Sequence, residues 1–267
     1  MKSYLKTVFA GAAIACAATS VRAQLFSDTF AYANGEIASV SGGAWSVSTA
    51  GTALNVSNGA AVINQGDLTA GRETVAHSIP TPFTTAGNSV AYYGFKAMWT
   101  ALPSGNTGSY FTDVSGSTLL YGRVGADVQG AAAGKFRIAV ANANWTAANS
   151  VEFPTDLSLN VQYNVVVKYD LATQHTTLWV DPASEASTSV TAIDAPAGVQ
   201  QSIGGINLRQ GRSNGNTAAP GVILIDDLSV ATKFTELTVV PEPGEYAALF
   251  AGGLVAYGLV VRRRMPR

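Results

Sequence analysis

The chain has 267 residues, with 16 Lys plus Arg against 17 Asp plus Glu, and only 12% of its residues are charged while 47% are hydrophobic. Recurring apolar runs with so little charge exclude a disordered polyelectrolyte, and a formal net charge of −1 offers nucleic acid no basic surface as a partner. Cys16 is the single cysteine, which excludes an intrachain disulfide framework and a thiolate metal site.

At the start of the chain, Lys2 and Lys6 precede an apolar run from Val8 to Ala18, and Val21-Arg22-Ala23 follows. This is the layout of a secretory signal peptide over residues 1–23. The apolar run is too short to span a hydrocarbon core, which needs roughly twenty helical residues. Small side chains at Val21 and Ala23 suit signal peptidase, so cleavage is expected after Ala23. A competing lipoprotein site at Ala13-Ile14-Ala15-Cys16 lacks a large aliphatic residue three before the cysteine. Cleavage after Ala23 removes Cys16, leaving a mature chain without cysteine. Residues 24–240 then carry nine Lys plus Arg against fifteen Asp plus Glu, so the body is mildly acidic.

Through the body, short alternating or apolar segments are separated by Gly, Pro, Asn or Asp, with no sustained period of 3.6 residues. Strands are expected at Ser89 to Trp99, Tyr110 to Val114, Leu119 to Val124 and Phe136 to Ala141. The clearest strand runs from Val161 to Asp170. Its Val161, Tyr163, Val165, Val167 and Tyr169 share one face, and Gln162, Asn164, Lys168 and Asp170 make the other largely wet. Leu171-Ala172-Thr173-Gln174 is of turn length, so the next strand, His175 to Val180, closes a hairpin. Ile203 to Gln210 and Val222 to Val230 complete the set, and the Gly-rich pieces 125–134 and 211–221 read as loops. Strands at even spacing without helical crossovers predict an all-β, antiparallel two-sheet β-sandwich over residues 24–236, with no composition shift that would divide it.

Beyond a linker at residues 237–245, which holds Pro241-Glu242-Pro243, an apolar stretch runs from Tyr246 to Val261. Arg262-Arg263-Arg264 follow at once. Sixteen residues at 1.5 Å each cover roughly 24 Å, somewhat short of the hydrocarbon core, although bilayer thinning absorbs such a mismatch. The expectation is a single, weakly held or temporary transmembrane helix at 246–261. The arginines resist translocation and keep residues 262–267 cytoplasmic, with the body outside.

Pro241-Glu242-Pro243, then an apolar segment, then Arg262-Arg263-Arg264, resembles the PEP-CTERM sorting signal of bacterial exosortase substrates. The resemblance implies an exosortase as partner besides signal peptidase and the membrane, with the tail processed near Pro241-Glu242-Pro243 in a bacterium that makes exopolysaccharide. The body resembles the laminin-G-like or concanavalin-type jelly rolls. The residues that carry this are Phe26-Ser27-Asp28-Thr29-Phe30, Gly134-Lys135-Phe136-Arg137-Ile138, the strand from Tyr163 to Asp170, Leu178-Trp179-Val180-Asp181-Pro182 and the run from Val222 to Leu228. They are packing signatures and imply a fold more than an activity.

Jelly rolls of this type include glycan hydrolases, lyases and lectins. The Glu-x-Asp-x-x-Glu strand of sandwich glucanases is absent, and Glu36, Glu73, Glu152, Glu185 and Glu236 are scattered beside turn residues, reading as solvated loop carboxylates. Gln174-His175 bears a faint likeness to a lyase site, but the Arg-rich strand of those lyases is missing, and His77 is the only other histidine. There is no Gly-x-Ser-x-Gly elbow. No catalytic residue is assigned and no enzyme is expected. Asp28 and Asp226-Asp227 sit in terminal strands that could adjoin, but without an Asp-x-Asp-x-Asp-Gly loop neither metal nor cofactor is expected. Trp99 and Trp179 read as core. Trp145, among Asn142, Ala143, Asn144 and Thr146, is either a glycan-stacking platform or a plug at the end of the sandwich. The expected function is an exported envelope or exopolysaccharide-matrix protein with a structural or adhesive role, anchored to the inner membrane until processed. The alternatives are a carbohydrate-binding module and a divergent polysaccharide lyase or hydrolase.

Overall fold

The computed structural model describes residues 24–64, 71–103, 109–116, 119–194, 202–210 and 221–239. Early in the chain come β1 (Gln24–Asp28), β2 (Gly35–Glu36), the single helical turn α1 (Ile37–Val40), β3 (Ser46–Thr49), β4 (Asn55–Ser57) and β5 (Ala60–Ile63). Longer strands follow: β6 (Thr74–Thr84), β7 (Val90–Ala101), β8 (Tyr110–Ser115), β9 (Leu120–Asp127), β10 (Arg137–Ala141) and the short β11 (Val151–Glu152). The last are β12 (Gln162–Asp170), β13 (His175–Val180), β14 (Val190–Ala192), β15 (Ser202–Arg209) and β16 (Val222–Ala231).

They form two antiparallel sheets. The larger runs β14-β13-β12-β7-β16-β5-β4-β2, with β1 also paired to β16; the smaller runs β11-β10-β9-β8-β15-β6-β3. The chain is thus the all-β two-sheet sandwich that its patterning predicts. The signal helix at 1–23 and the span at 246–261 lie outside the described residues, and among those residues no helix is long and apolar enough to cross a membrane.

Alternation on the central strands builds the core. On β12, Tyr163, Val165, Val167 and Tyr169 point between the sheets, and the predicted hairpin forms with Asp170 opposite His175. Val161 does not join them: it lies before the strand and is 43% exposed. On β7, Tyr93, Phe95, Ala97 and Trp99 alternate inward, and Trp99 packs on Phe136 at 4.8 Å and on Phe111 at 5.7 Å between ring centroids.

Patterning does not reveal β6, because Pro80 and Pro82 argue against a strand. The fold accommodates them in two ways. β3 pairs only with the Thr74–Ala76 end of β6, so the rest of that flank needs no amide donors, and the ladder to β15 is interrupted between Ile203 and Gly205, opposite the prolines.

The outer face of the larger sheet is not wet throughout. After β16 the chain enters a 3-10 turn, Phe234–Glu236, and lays Phe234, Leu237 and Val239 against Tyr92, Val166 and Trp179. Val166, on the polar side of β12, is apolar because this strap covers it. Leu237 and Val239, in the stretch that the sequence reads as linker, are buried, and each such side chain contributes roughly 1.5–3 kcal/mol. Gly94 on β7 makes room for the strap: a Cβ there would come within 2.6 Å of Val239 Cγ2 and 3.2 Å of Leu237 Cδ1. Gly94→Val is therefore expected to lift residues 237–239 off the sheet, costing about 1–3 kcal/mol, with new protease cleavage after Lys233. Wild-type resistance at that bond in the variant would refute this.

Candidate functional site on the outer face of the smaller sheet

On β15, Ile206 and Leu208 face the core, which turns Asn207 and Arg209 to the outer face. Asp113 of β8 sits opposite Asn207 in register, and Asn207 Nδ2 donates to its Oδ1 at 2.5 Å. On β9, Val124 and Ala126 point inward, so Arg123 and Gly125 belong to the same outer surface. Sheet order thereby brings together residues nearly a hundred positions apart.

The centre of the cluster is Tyr110. The Arg209 guanidinium lies 3.9 Å from its ring centroid and that of Arg123 lies 4.7 Å from it, both within cation–π range. Arg209 is only 6% exposed; burial, with Arg72 and Arg123 repelling, brings its pKa down to about 10, so it stays charged at neutral pH. Asp113 is fully buried, and burial raises its pKa to about 7 against the pull of Asn207, Arg123 and Arg209. Two buried atoms here, Asp113 Oδ2 and Arg123 Nε, have no hydrogen-bond partner among the described residues. A hollow of about 310 Å³ opens over Arg72, Tyr110, Asp113, Ser115, Asn207 and Arg209.

Trp145 borders this cluster. Its indole lies on Gly125, where a Cβ would collide with Cζ2 and Cη2, and its centroid is 6.3 Å from that of Tyr110. It is half-buried against the outer face at Gly125 rather than a plug at the end of the sandwich. The loop that carries it is held by Asp194, which accepts from the backbone N–H groups of Asn142, Ala143 and Asn144 at 2.6, 2.9 and 2.8 Å. Nothing in the sequence around Asp194 signals this role. The alternation Ile206-Asn207-Leu208-Arg209 does mark an outward arginine, but not what it meets.

The other candidates lie elsewhere. His175 is on β13 of the larger sheet and Gln174 is in the hairpin turn, so neither reaches the arginines. His77 stacks on Phe26 at 3.8 Å, and burial lowers its pKa. Asp28 accepts from Phe30 N, Tyr32 Oη and Trp45 Nε1, while Asp227 pairs with Lys96 at 2.6 Å. Trp99 lies between the sheets as expected; Trp179 is equally buried, but beneath the strap. Glu73 is not a solvated loop carboxylate: it is 7% exposed and accepts from Leu54 N at 2.9 Å. Two other hollows hold carboxylates already engaged, with Asp156 and Glu152 both bound to Arg137. Ala23, Pro241, Glu242, Pro243, Arg262, Arg263 and Arg264 lie outside the described residues.

No protein-family model matches the chain, and no curated protein matches it. Solved structures do. A sialidase aligns over 78% of this chain at 12% identity and a TM-score of 0.46, and the chain spans 19% of that protein. A marine alginate lyase from Zobellia galactanivorans aligns over 75% of this chain and 93% of its own, at 12% identity and a TM-score of 0.45. The seed lectin of Lotus tetragonolobus aligns over 77% and 96% respectively, at 14% identity and a TM-score of 0.44. No residue role is carried over from any of them.

Proposed function

We propose that this chain is an exported, non-enzymatic adhesive protein of a bacterial envelope or exopolysaccharide matrix, sorted by its tail and gripping polysaccharide through the outer face of its smaller sheet. The observation that carries the binding role is the half-buried Trp145 indole on the outer face, 6.3 Å between centroids from the buried Tyr110 that lines the hollow with Arg72 and Arg209. Aromatic faces suit the apolar faces of sugar rings, and polar groups beside them fix orientation. Export and sorting rest on the order of the termini: a basic start with a short apolar run, and Pro241-Glu242-Pro243 ahead of an apolar stretch and Arg262-Arg263-Arg264.

The binding role is tested by native gels of the purified full chain containing soluble polysaccharides. Trp145→Ala should weaken retention roughly tenfold while leaving the melting transition in place. Retention unchanged by that substitution would remove the platform from the function.

Sorting is tested separately in the producing cell. Proline restricts its own backbone and that of the residue before it, so Pro241-Glu242-Pro243 presents an extended stretch to a membrane enzyme. Replacing it by three alanines should leave signal cleavage intact while the complete tail persists in the inner membrane. Normal C-terminal processing of that variant would reduce the tail to a plain anchor.

A further inference from the structure

We infer that the hollow beside Trp145 takes a carboxylate-bearing sugar, so that the polymer gripped is a polyuronate. This rests on the glycan-binding reading and narrows it to a ligand class.

Charge is the first ground. Residues 24–240 carry nine basic side chains against fifteen acidic ones, yet two of the nine, Arg72 and Arg209, line this hollow and a third, Arg123, lies over the Tyr110 ring beside it. Among the described residues no salt bridge reaches any of them. A buried charge is costly unless it is paired, and Arg209, 6% exposed, has a tyrosine face in place of an ion partner. One carboxylate, Asp113, does not balance three guanidiniums. An anion entering the hollow completes that balance, and planar guanidinium forks match a carboxylate well.

The polar rim is the second ground. Ser48, Thr49 and Ser115 stand around the hollow with Asn207, whose amide is already engaged by Asp113. Sulfate supplies acceptors only. A neutral sugar supplies hydroxyls but leaves the guanidiniums unbalanced. A uronate residue brings both, with its carboxylate for Arg72 and Arg209 and its ring hydroxyls for Ser48, Thr49 and Ser115 at the rim, while Trp145 offers an apolar surface to the adjoining ring.

The experiment uses the full chain in native gels containing polygalacturonate or alginate, polygalacturonate reduced at its carboxyl groups, or dextran sulfate. Arg209 is too buried to replace without risk to the fold, so the variant is Arg72→Gln, half-buried at the rim. The expected result is retention by a polyuronate, at least roughly tenfold weaker binding to the reduced polymer, and a similar loss in Arg72→Gln. Equal retention by the native and reduced polymers, abolished by Trp145→Ala, would overturn the uronate assignment and leave the glycan-binding reading standing. Retention on dextran sulfate as strong as on the polyuronates would make this a general anion site and also overturn the assignment. Wild-type affinity in Arg72→Gln would overturn it too, and failure of every polymer to retain the protein would sink both readings.

Discussion

Asp28→Ala should lower the stability of the chain by roughly 3–5 kcal/mol. Its Oδ2 accepts from Trp45 Nε1 at 2.7 Å and from Tyr32 Oη at 2.8 Å, and its Oδ1 accepts from the Phe30 amide at 2.7 Å. Trp45 is 1% exposed and Phe30 is fully buried, so water cannot replace the lost acceptor without opening the core. Hydrogen bonds to a charged group contribute about 1.5–3 kcal/mol each, and an orphaned buried donor costs its desolvation as well. The same carboxylate ties β1 to the segment ahead of β3, and so joins an edge of the larger sheet to an edge of the smaller. Chemical unfolding of wild type, Asp28→Ala and Asp28→Asn measures this, with the asparagine variant intermediate because it keeps one acceptor. A loss below about 1 kcal/mol in the alanine variant would show that the three donors find other partners.

The second large effect is a fall in stability with rising pH that Asp113→Asn removes. Burial holds the Asp113 proton to about pH 7, whereas an aspartate in the unfolded chain releases it near 3.9. Between those values the folded state binds the extra proton, so stability declines as pH rises through that window and levels off above it. The whole gap corresponds to about 4 kcal/mol at most. The groups that act on Asp113 are Arg123 from β9 and Arg209 and Asn207 from β15, and its charge in turn reaches Tyr93 of β7. Arg209 keeps its charge over that range, and burial raises the Tyr93 pKa still further from it. Asp113→Asn keeps an acceptor for Asn207 but cannot titrate. Unfolding curves from pH 4 to 8 should show the variant gaining on wild type as pH rises, with the difference constant above about 8. Because His77, Glu73 and Asp226 titrate alike in both proteins, parallel curves would mean that Asp113 is ionised throughout.

Strands whose two faces differ in polarity are legible from their own residues. β12 is the clearest case: its alternation places Tyr163, Val165, Val167 and Tyr169 inward, and the turn-length interval ahead of His175 places β13 beside it. β6 is not legible in this way, because local sequence carries the penalty of Pro80 and Pro82 but not the interrupted ladder that relieves it. Val166 misleads for a similar reason. Its neighbours on that face are polar, and the strap that buries it comes from residues 234–239, nearly seventy positions later.

Asp28 and Asp226-Asp227 show the same limit at a candidate site. Their residue types permit a cation site, and whether they form one depends on competing partners. Three donors around Asp28 and the Lys96 ammonium at Asp227 are those partners.

The sequence by itself determined the β-sandwich, because a period of two residues is a property of neighbours along the chain, and it determined Trp145 as a candidate, because polar loop neighbours are visible in order. The proposed export and sorting rest on sequence alone, since motifs of that kind are read along an extended chain. Only the tertiary structure decided that Tyr110, Asp113, Arg123 and Arg209 share one surface with Trp145. Their meeting depends on β9, β8 and β15 lying side by side, and on Gly125 leaving room for the indole. Strand order is set by how both sheets bury their apolar faces together, a condition on the whole chain that no local pattern contains.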